Sequence, residues 1–450
     1  MSDFVRHMDC TAHTPARPFS HSRSMFLLAT LLLAACQVSD TPEPAAASPD
    51  SLQTIRTGAQ RLVDDGFADL AGWNVGLVTN HTARVDTSDG GPAHLIDRLD
   101  AAPNVTLAAI FGPEHGYRGT AEAGDHISGG RDEATGVPVH SLHGSRRKPT
   151  QAQLRGLDAL VFDMQDVGAR FYTYISTMGL SMQAAAEADI PFVVLDRPNP
   201  IGGLVEGFLM ERRHMSFVGQ YAIPQTHGMT VGELARMIKG EGLLTGLENL
   251  DLRVIALDGY TRSTTWEETG LSWIQPSPNI PDVATARAYP GTALFENSAV
   301  NEGRGTRTPF LVAGAPWTDE ETLEHELNAR ALPGVTFEGV TYTPESIPGL
   351  ASNPTHRGRQ VHGVLIRVSD PEAFQPVATG VHLLHAFYHD APAAARRNFF
   401  NADWLAKLCG TDRLRQMLVD GASPEDIIEA WSDDVEAFKV QREPYLLYEE

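Results

Sequence analysis

The sequence predicts an α/β protein built on a doubly wound, mostly parallel sheet. Three observations carry that reading. Short runs that are apolar on both faces recur from about residue 70 onward, helix-like stretches separate them, and each run ends in polar residues. Strands apolar on both faces are covered by helices on both sides, and a βαβα alternation is the signature of parallel pairing.

The strands follow in order. Residues 75–80 (VGLVTN), 105–111 (VTLAAIF), 159–164 (ALVFDM) and 192–195 (FVVL) read as strands. Residues 93–99, 151–157 and 180–188 read as the helices between them. The first strand ends in Asn80-His81 and the second runs into Gly112-Pro113-Glu114-His115-Gly116. The third ends in Gln165-Asp166, followed by Arg170, and the fourth in Asp196-Arg197-Pro198-Asn199. Ligands of open α/β sheets bind outside the carboxyl ends of the strands, so Glu114, Asp166 and Asp196 are expected in one neighbourhood. Any one of them has an equally good role as a helix N-cap. Taken together they do not, because Glu is a poor cap and arginines accompany two of the acids.

In the second half, Thr230 and Glu233 form a T-x-x-E capping box, which gives Glu233 a structural role and leaves His227 free to face a cleft. Residues 273–281 (WIQPSPNIP) make a rigid Pro-rich loop carrying Asn279, of the kind that costs little entropy to order around a ligand. Residues 295–306 combine Glu302 and Arg304 with flanking glycines that permit close approach of a ligand. Beyond residue 307 the pattern mixes α and β, with a strand at 361–368. Trp404 and Trp431 lie in helix-like stretches and read as core, and Cys409 as a buried small hydrophobe.

Composition narrows the partners. The 450 residues carry 35 Lys+Arg against 57 Asp+Glu, a formal charge of -22. Such a surface repels nucleic acid, and no basic stripe offsets it. No G-x-G-x-x-G follows a strand, and no P-loop, zincin or G-x-S-x-G motif is present. Ser145 to Lys148 matches S-x-x-K, but its K-T-G and S-D-N partners are missing, so it reads as a charged loop. The histidine spacings match no helix-borne ligand pair, so neither a metal nor another cofactor is expected.

The amino terminus reads as a leader. Arg17 and Arg23 precede MFLLATLLLAA (25–35), an apolar run too short to span a bilayer comfortably. It ends in Leu33-Ala34-Ala35-Cys36, which resembles a bacterial lipobox with Cys36 as the lipidated residue. Residues 37–54 read as a flexible tether. The expected organisation is a signal peptide with lipobox at 1–36, the tether at 37–54, an α/β domain at 55–285, and a smaller α+β domain at 286–450. The expected location is the periplasmic side of the cell envelope, held to the membrane by the lipid.

Six segments resemble one family. They are GPEHGYRG (112–119), DMQDVGARFYTY (163–174), LDRPNPIGG (195–203), THGMTVGELA (226–235), PSPNIP (276–281) and YPGTALFENSAVNEGRGTRTPF (289–310). In this order they are similar to bacterial exo-β-N-acetylmuramidases of the NamZ type, formerly a domain-of-unknown-function family. The resemblance spans the chain from about residue 57. It implies a Rossmann-like domain, a smaller C-terminal domain, and a cleft between them. It also implies release of N-acetylmuramic acid from non-reducing ends of peptidoglycan fragments, with Glu114 as the leading catalytic residue. Ala293 and residues 297–299 depart from the family pattern, without touching the acids.

Glycoside cleavage needs an acid for the leaving oxygen and a second group at the sugar carbon. Glu114 is the expected acid. Asp166 or Glu302 is the expected second carboxylate, and an acid such as Asp166 that orients the substrate's own acetamido group is the third path. Arg170, Arg197 and Arg304 are the candidates for the lactyl carboxylate. Tyr172, Tyr174, His115, His227, Asp196, Asn199 and Asn279 complete the expected binding set. Two rivals remain at this point: a sugar-binding envelope lipoprotein without catalysis, and a metal-dependent amidase of the same wall.

Overall fold

The structure is a computed structural model that describes residues 55–87, 91–114, 116–118 and 130–449. Cys36, the leader and tether, and His115 therefore lie outside the described residues.

The first half is organised by one sheet. Its strands are β1 (Asn74–Thr79), β2 (Thr106–Gly112), β3 (Gly130–Arg131), β4 (Pro138–Ser141), β5 (Ala159–Asp163), β6 (Phe192–Leu195) and β7 (Leu252–Ile255). Their order is β7-β6-β5-β1-β2-β4-β3. Every neighbouring pair is parallel except the short edge strand β3, which runs antiparallel to β4. The chain moves outward from β1 through β2 to β4, returns to the far side of β1 as β5, and moves outward again to β7. The winding thus reverses between β1 and β5, where a doubly wound sheet opens a crevice at its carboxyl edge.

Alternation along each strand feeds two cores. Val75, Leu77, Val161, Val193 and Leu195 point to the layer shared with Ala59 and Leu62 of α1 (Gly58–Asp64) and Leu95 and Ile96 of α2 (Leu95–Asp100). Val78, Leu160, Phe162, Phe192 and Val194 point the other way, to α4 (Tyr174–Glu187) and α5 (Val231–Gly240), which follow the short α3 (Gln151–Leu154). Burying a side chain such as Phe162 this completely makes its truncation to alanine cost about 3–5 kcal/mol. α4 is longer than the expected 180–188 because ten of its fourteen residues are buried. A helix enclosed all round shows no polar stripe from which to read its start.

The second half begins at α6 (Val283–Thr292). It holds a three-stranded antiparallel sheet, β8 (Val312–Ala315), β9 (Val335–Tyr342) and β10 (Val361–Val368), in the order β8-β10-β9. Helices α7 (Glu320–Ala329) and α8 (Pro376–Asp390) accompany it. Five helices close the chain: α9 (Ala393–Arg396), α10 (Ala402–Cys409), α11 (Arg413–Val419), α12 (Pro424–Glu429) and α13 (Ser432–Arg442). The smaller α+β half is as the sequence indicates.

Two devices join the halves. α6 and α8 cross where Gly291 meets Gly380, and a Cβ on Gly291 would run into the Pro376 carbonyl. Nearby, α8 has no side-chain cap of its own. Glu206 from the first half supplies one, accepting from the backbone N–H of Val377 (3.1 Å) and Ala378 (3.4 Å). The core layer on the α4 face continues without a break into Phe295, Leu384 and Phe438 of the second half.

Candidate active site

A cleft of about 480 Å³ lies where the carboxyl ends of the strands meet the second half. The strand ends supply one wall. β2 delivers Glu114, and the turn after β5 delivers Phe171, Tyr172 and Tyr174. The Pro-rich loop adds Ser277 and Asn279, and the second half adds Tyr289, Glu296, Glu302, Arg304 and Trp404.

The backbone explains how these side chains converge. Gly168 turns with φ 79°, a conformation that favours glycine, and Asn199 and Ile201 fill the space a Cβ would need. That turn aims the tyrosines at the cleft. Tyr174 donates to the Pro276 carbonyl at 2.5 Å, and its ring stands edge-on to Tyr172 at 4.9 Å. Tyr289 meets Tyr172 and Phe310 edge-on at 6.0 and 4.8 Å. The aromatic floor is therefore one interlocked cluster.

The acids sit in different settings. Glu114 is at the rim with its side chain 36% exposed, 4.0 Å from His143 Nδ1. Asp166 does not itself line the cleft; it is enclosed, within electrostatic reach of Tyr172, Tyr174 and Tyr289. One of its oxygens accepts from Gly168 N–H at 2.7 Å, and the other has no hydrogen-bond partner among the described residues. Glu302 is equally enclosed. Its Oε1 stands 3.5 Å from Arg304, and its Oε2 has no partner among the described residues. Burial pushes both carboxyls up to about 7, since desolvation penalises the charged form. Arg304 bridges Glu302 and Glu296 (3.0 Å), lies over the Phe310 ring, and keeps its side chain 33% exposed. Asn279 lines the wall and donates to the Leu350 carbonyl.

Five other expected site residues stand elsewhere, each with a physical reason. Arg170 is enclosed, and its guanidinium donates to the carbonyls of Phe208, Ile223 and Leu408, tying the halves together. Arg197 is held by Asp163 at 2.5 and 3.0 Å, so its charge is neutralised within the sheet edge. Asp196 accepts from Thr230, Gly232 and Tyr448, and serves the amino end of α5. Asn199 is consumed by Met229 and Ile201. His227 is enclosed near Arg442, with burial lowering its pKa to about 3, and its Nδ1 accepts from Met229 N–H. It does not line the cleft. Glu233 fills the capping box as expected.

Sequence reasoning missed three wall residues. Tyr289 and Glu296 lie within the 289–310 segment, but nothing distinguished them from core and solvated positions. Trp404 reads as core, yet it lines the cleft and is only partly buried. Trp431 is core, packed edge-on against Phe208.

Profiles of the exo-β-N-acetylmuramidase NamZ N-terminal and C-terminal domains match residues 75–284 and 287–448. The chain belongs to the NamZ exo-β-N-acetylmuramidase family. The peptidoglycan β-N-acetylmuramidase NamZ of Bacillus subtilis (strain 168) is 41% identical over 411 residues, covering 90% of this chain and 95% of that one. Two crystal structures of DUF1343 family proteins from Bacteroides fragilis are similar, with TM-scores of 0.77 and 0.72. Each is 36% identical and covers 88% of this chain and 99% of its own. The match to NamZ proteins therefore embraces both halves and the cleft between them.

Proposed function

We propose that this NamZ-family chain is an exo-acting glycoside hydrolase that releases N-acetylmuramic acid from the non-reducing ends of peptidoglycan fragments. One observation carries the reading. A rim acid, Glu114, and an enclosed carboxylate, Glu302, with one oxygen unpartnered among the described residues, line one aromatic-walled cleft at the sheet's switch point, and a second enclosed carboxylate, Asp166, lies within electrostatic reach of the cleft's tyrosines. The cleft's volume lies within the ordinary range for small-ligand sites.

Glu114 is suited to be the acid. It stands at the rim, where the leaving chain departs, and its proton passes to the glycosidic oxygen as the bond to C1 breaks. Water then adds to C1, and its proton returns to the carboxylate. The second group is Glu302 or Asp166: Glu302 lines the cleft with its Oε2 unpartnered among the described residues and its Oε1 beside Arg304, while Asp166 is enclosed within electrostatic reach of the tyrosines. That group serves either at the sugar carbon or by orienting the substrate's acetamido group. Arg304, with a third of its side chain exposed, is the cation for the lactyl carboxylate.

The location is part of the proposal. Cys36 in the lipobox-like Leu33-Ala34-Ala35-Cys36 is the acylated residue, tethering the enzyme to the envelope on its periplasmic side. No helix among the described residues is long and apolar enough to cross a membrane. The activity is tested by mass spectrometry of a muramyl-ended disaccharide incubated with the protein. Free N-acetylmuramic acid is the expected product. Chains cut internally, or stem peptide released instead, count against the reading.

A further inference from the structure

At the edge of the cleft, one strip of surface combines features that ordinary loops do not. Ser216 and Gly219 exchange two backbone hydrogen bonds of 3.0 Å, closing a tight turn. Its two tip residues are Phe217 and Val218, both only partly buried. Turn tips favour Gly, Asn, Asp and Ser, so two apolar residues held there need a reason. Val218 lines the cleft beside Trp404 of α10. Arg147 places its guanidinium 4.2 Å from the centre of the Phe217 ring. It belongs to the exposed Ser145-Arg146-Arg147 run, in the same loop as His143, which faces Glu114.

Glu114, Trp404 and Val218 thus share the cleft, and Phe217, next to Val218, carries the surface on to the cation of Arg147. Glu302 and the tyrosines line the same cleft. A rim acid protonates the oxygen that leaves, so the departing chain passes over this strip. Aromatic faces suit sugar rings, and a guanidinium resting on an aromatic ring is pre-organised for a carboxylate. In a chain of net charge -22, a cation held at this edge locally offsets repulsion of an anionic polymer.

We infer that Trp404, Val218, Phe217 and Arg147 form leaving-chain subsites, with Trp404 carrying the sugar next to the cleaved bond and Arg147 binding a carboxylate on the sugar beyond it. The inference rests on the glycosidase reading above. The carboxylate comes either from a lactyl group or from a stem peptide. It follows that longer muramyl chains are better substrates than disaccharides.

The test compares Arg147→Ala and wild type on three substrates: a chromogenic β-N-acetylmuramide, a muramyl-ended disaccharide, and a muramyl-ended tetrasaccharide with or without stem peptide. The variant is expected to raise KM about three- to tenfold more for the tetrasaccharide than for the chromogenic compound, the size of one screened ion pair. Salt near 1 M should remove the difference. An effect confined to the peptide-bearing tetrasaccharide assigns the carboxylate to the peptide, an effect confined to the peptide-free form assigns it to the lactyl group, whose carboxyl the peptide would amidate, and an effect on both shows that Arg147 accepts either. Equal effects on all three substrates, or none, overturn the inference. Calorimetric binding of the tetrasaccharide to Glu114→Gln, with and without Arg147→Ala, keeps the question separate from turnover. A binding loss there supports the strip even if no muramide is hydrolysed, and unchanged binding rejects it.

Discussion

Asp166→Asn should flatten the pH dependence of folding stability. Burial raises the Asp166 carboxyl from its ordinary 3.8 to about 7. Between those values the folded protein keeps a proton that the unfolded chain has released. Stability therefore falls as pH rises through this window, and the loss is complete once pH passes the folded value. At about 1.4 kcal/mol per unit, a window of roughly three units sets a ceiling near 4 kcal/mol, of which about 2–3 kcal/mol falls between pH 5 and pH 8. Asparagine carries no titrating proton, and its carbonyl oxygen still accepts from Gly168 N–H, which meets the wild-type carboxylate at 2.7 Å. Its amide at the unpartnered position costs about 1–3 kcal/mol, but that cost does not change with pH. The measured quantity is thus a difference in slope. Urea unfolding at pH 5, 6, 7 and 8 on both proteins supplies it. Wild type should lose about 2–3 kcal/mol more than the variant across that range. Glu302 titrates in the same window in both proteins and cancels. Parallel pH profiles would refute the reasoning, because Asp166 would then be solvated or paired.

Other consequences are independent of that one. Arg304→Ala should lower kcat/KM for a chromogenic muramide about 10- to 100-fold, the worth of a charge-assisted bidentate contact. Paired assays with the N-acetylglucosaminide should show little change, and an equal fall for both sugars would count against a lactyl-binding arginine. Glu206→Ala strips the cap from α8, where the carboxylate meets Val377 and Ala378. It should cost about 1–2 kcal/mol in thermal or urea unfolding and speed proteolysis near residue 376, whereas an unchanged midpoint would show that solvent replaces the cap freely. Cys36→Ala should abolish incorporation of labelled acyl chains and release the protein from membranes; retained label would dismiss the lipobox reading.

Much of the fold was legible because burial on both faces writes itself into sequence. β6 is apolar throughout and β5 is apolar up to its last residue, Asp163, and the turns after both carry acids. β4 and β7 were not legible. Pro138-Val-His-Ser and Leu252-Arg-Val-Ile are half-exposed runs toward the edges of the sheet, where polar residues are tolerated. The site was legible where position decided it. Glu114, Tyr172 and Tyr174, which line the cleft, follow from lying past the strand ends. Arg170, Arg197 and His227 misled because charge and motif membership are visible in sequence, whereas the partner that consumes the charge is not. Arg170 answers to Leu408, 238 residues away, and no local pattern encodes that contact. Trp404 failed in the opposite direction: its helix buries Leu405 and Leu408, and the apolar spacing that announces a core also covers the residue that leans over the cleft.

The most direct test of the central claim is the turnover of a chromogenic β-N-acetylmuramide by wild type and by Glu114→Gln, at pH 6 and pH 8. The account expects release by wild type and a loss of about 10²–10⁴ in kcat for the variant, the scale of a removed general acid, with folding unchanged because Glu114 lies at the rim. Turnover by the variant at the wild-type rate would contradict it, and would move the acid from β2 to one of the enclosed carboxylates.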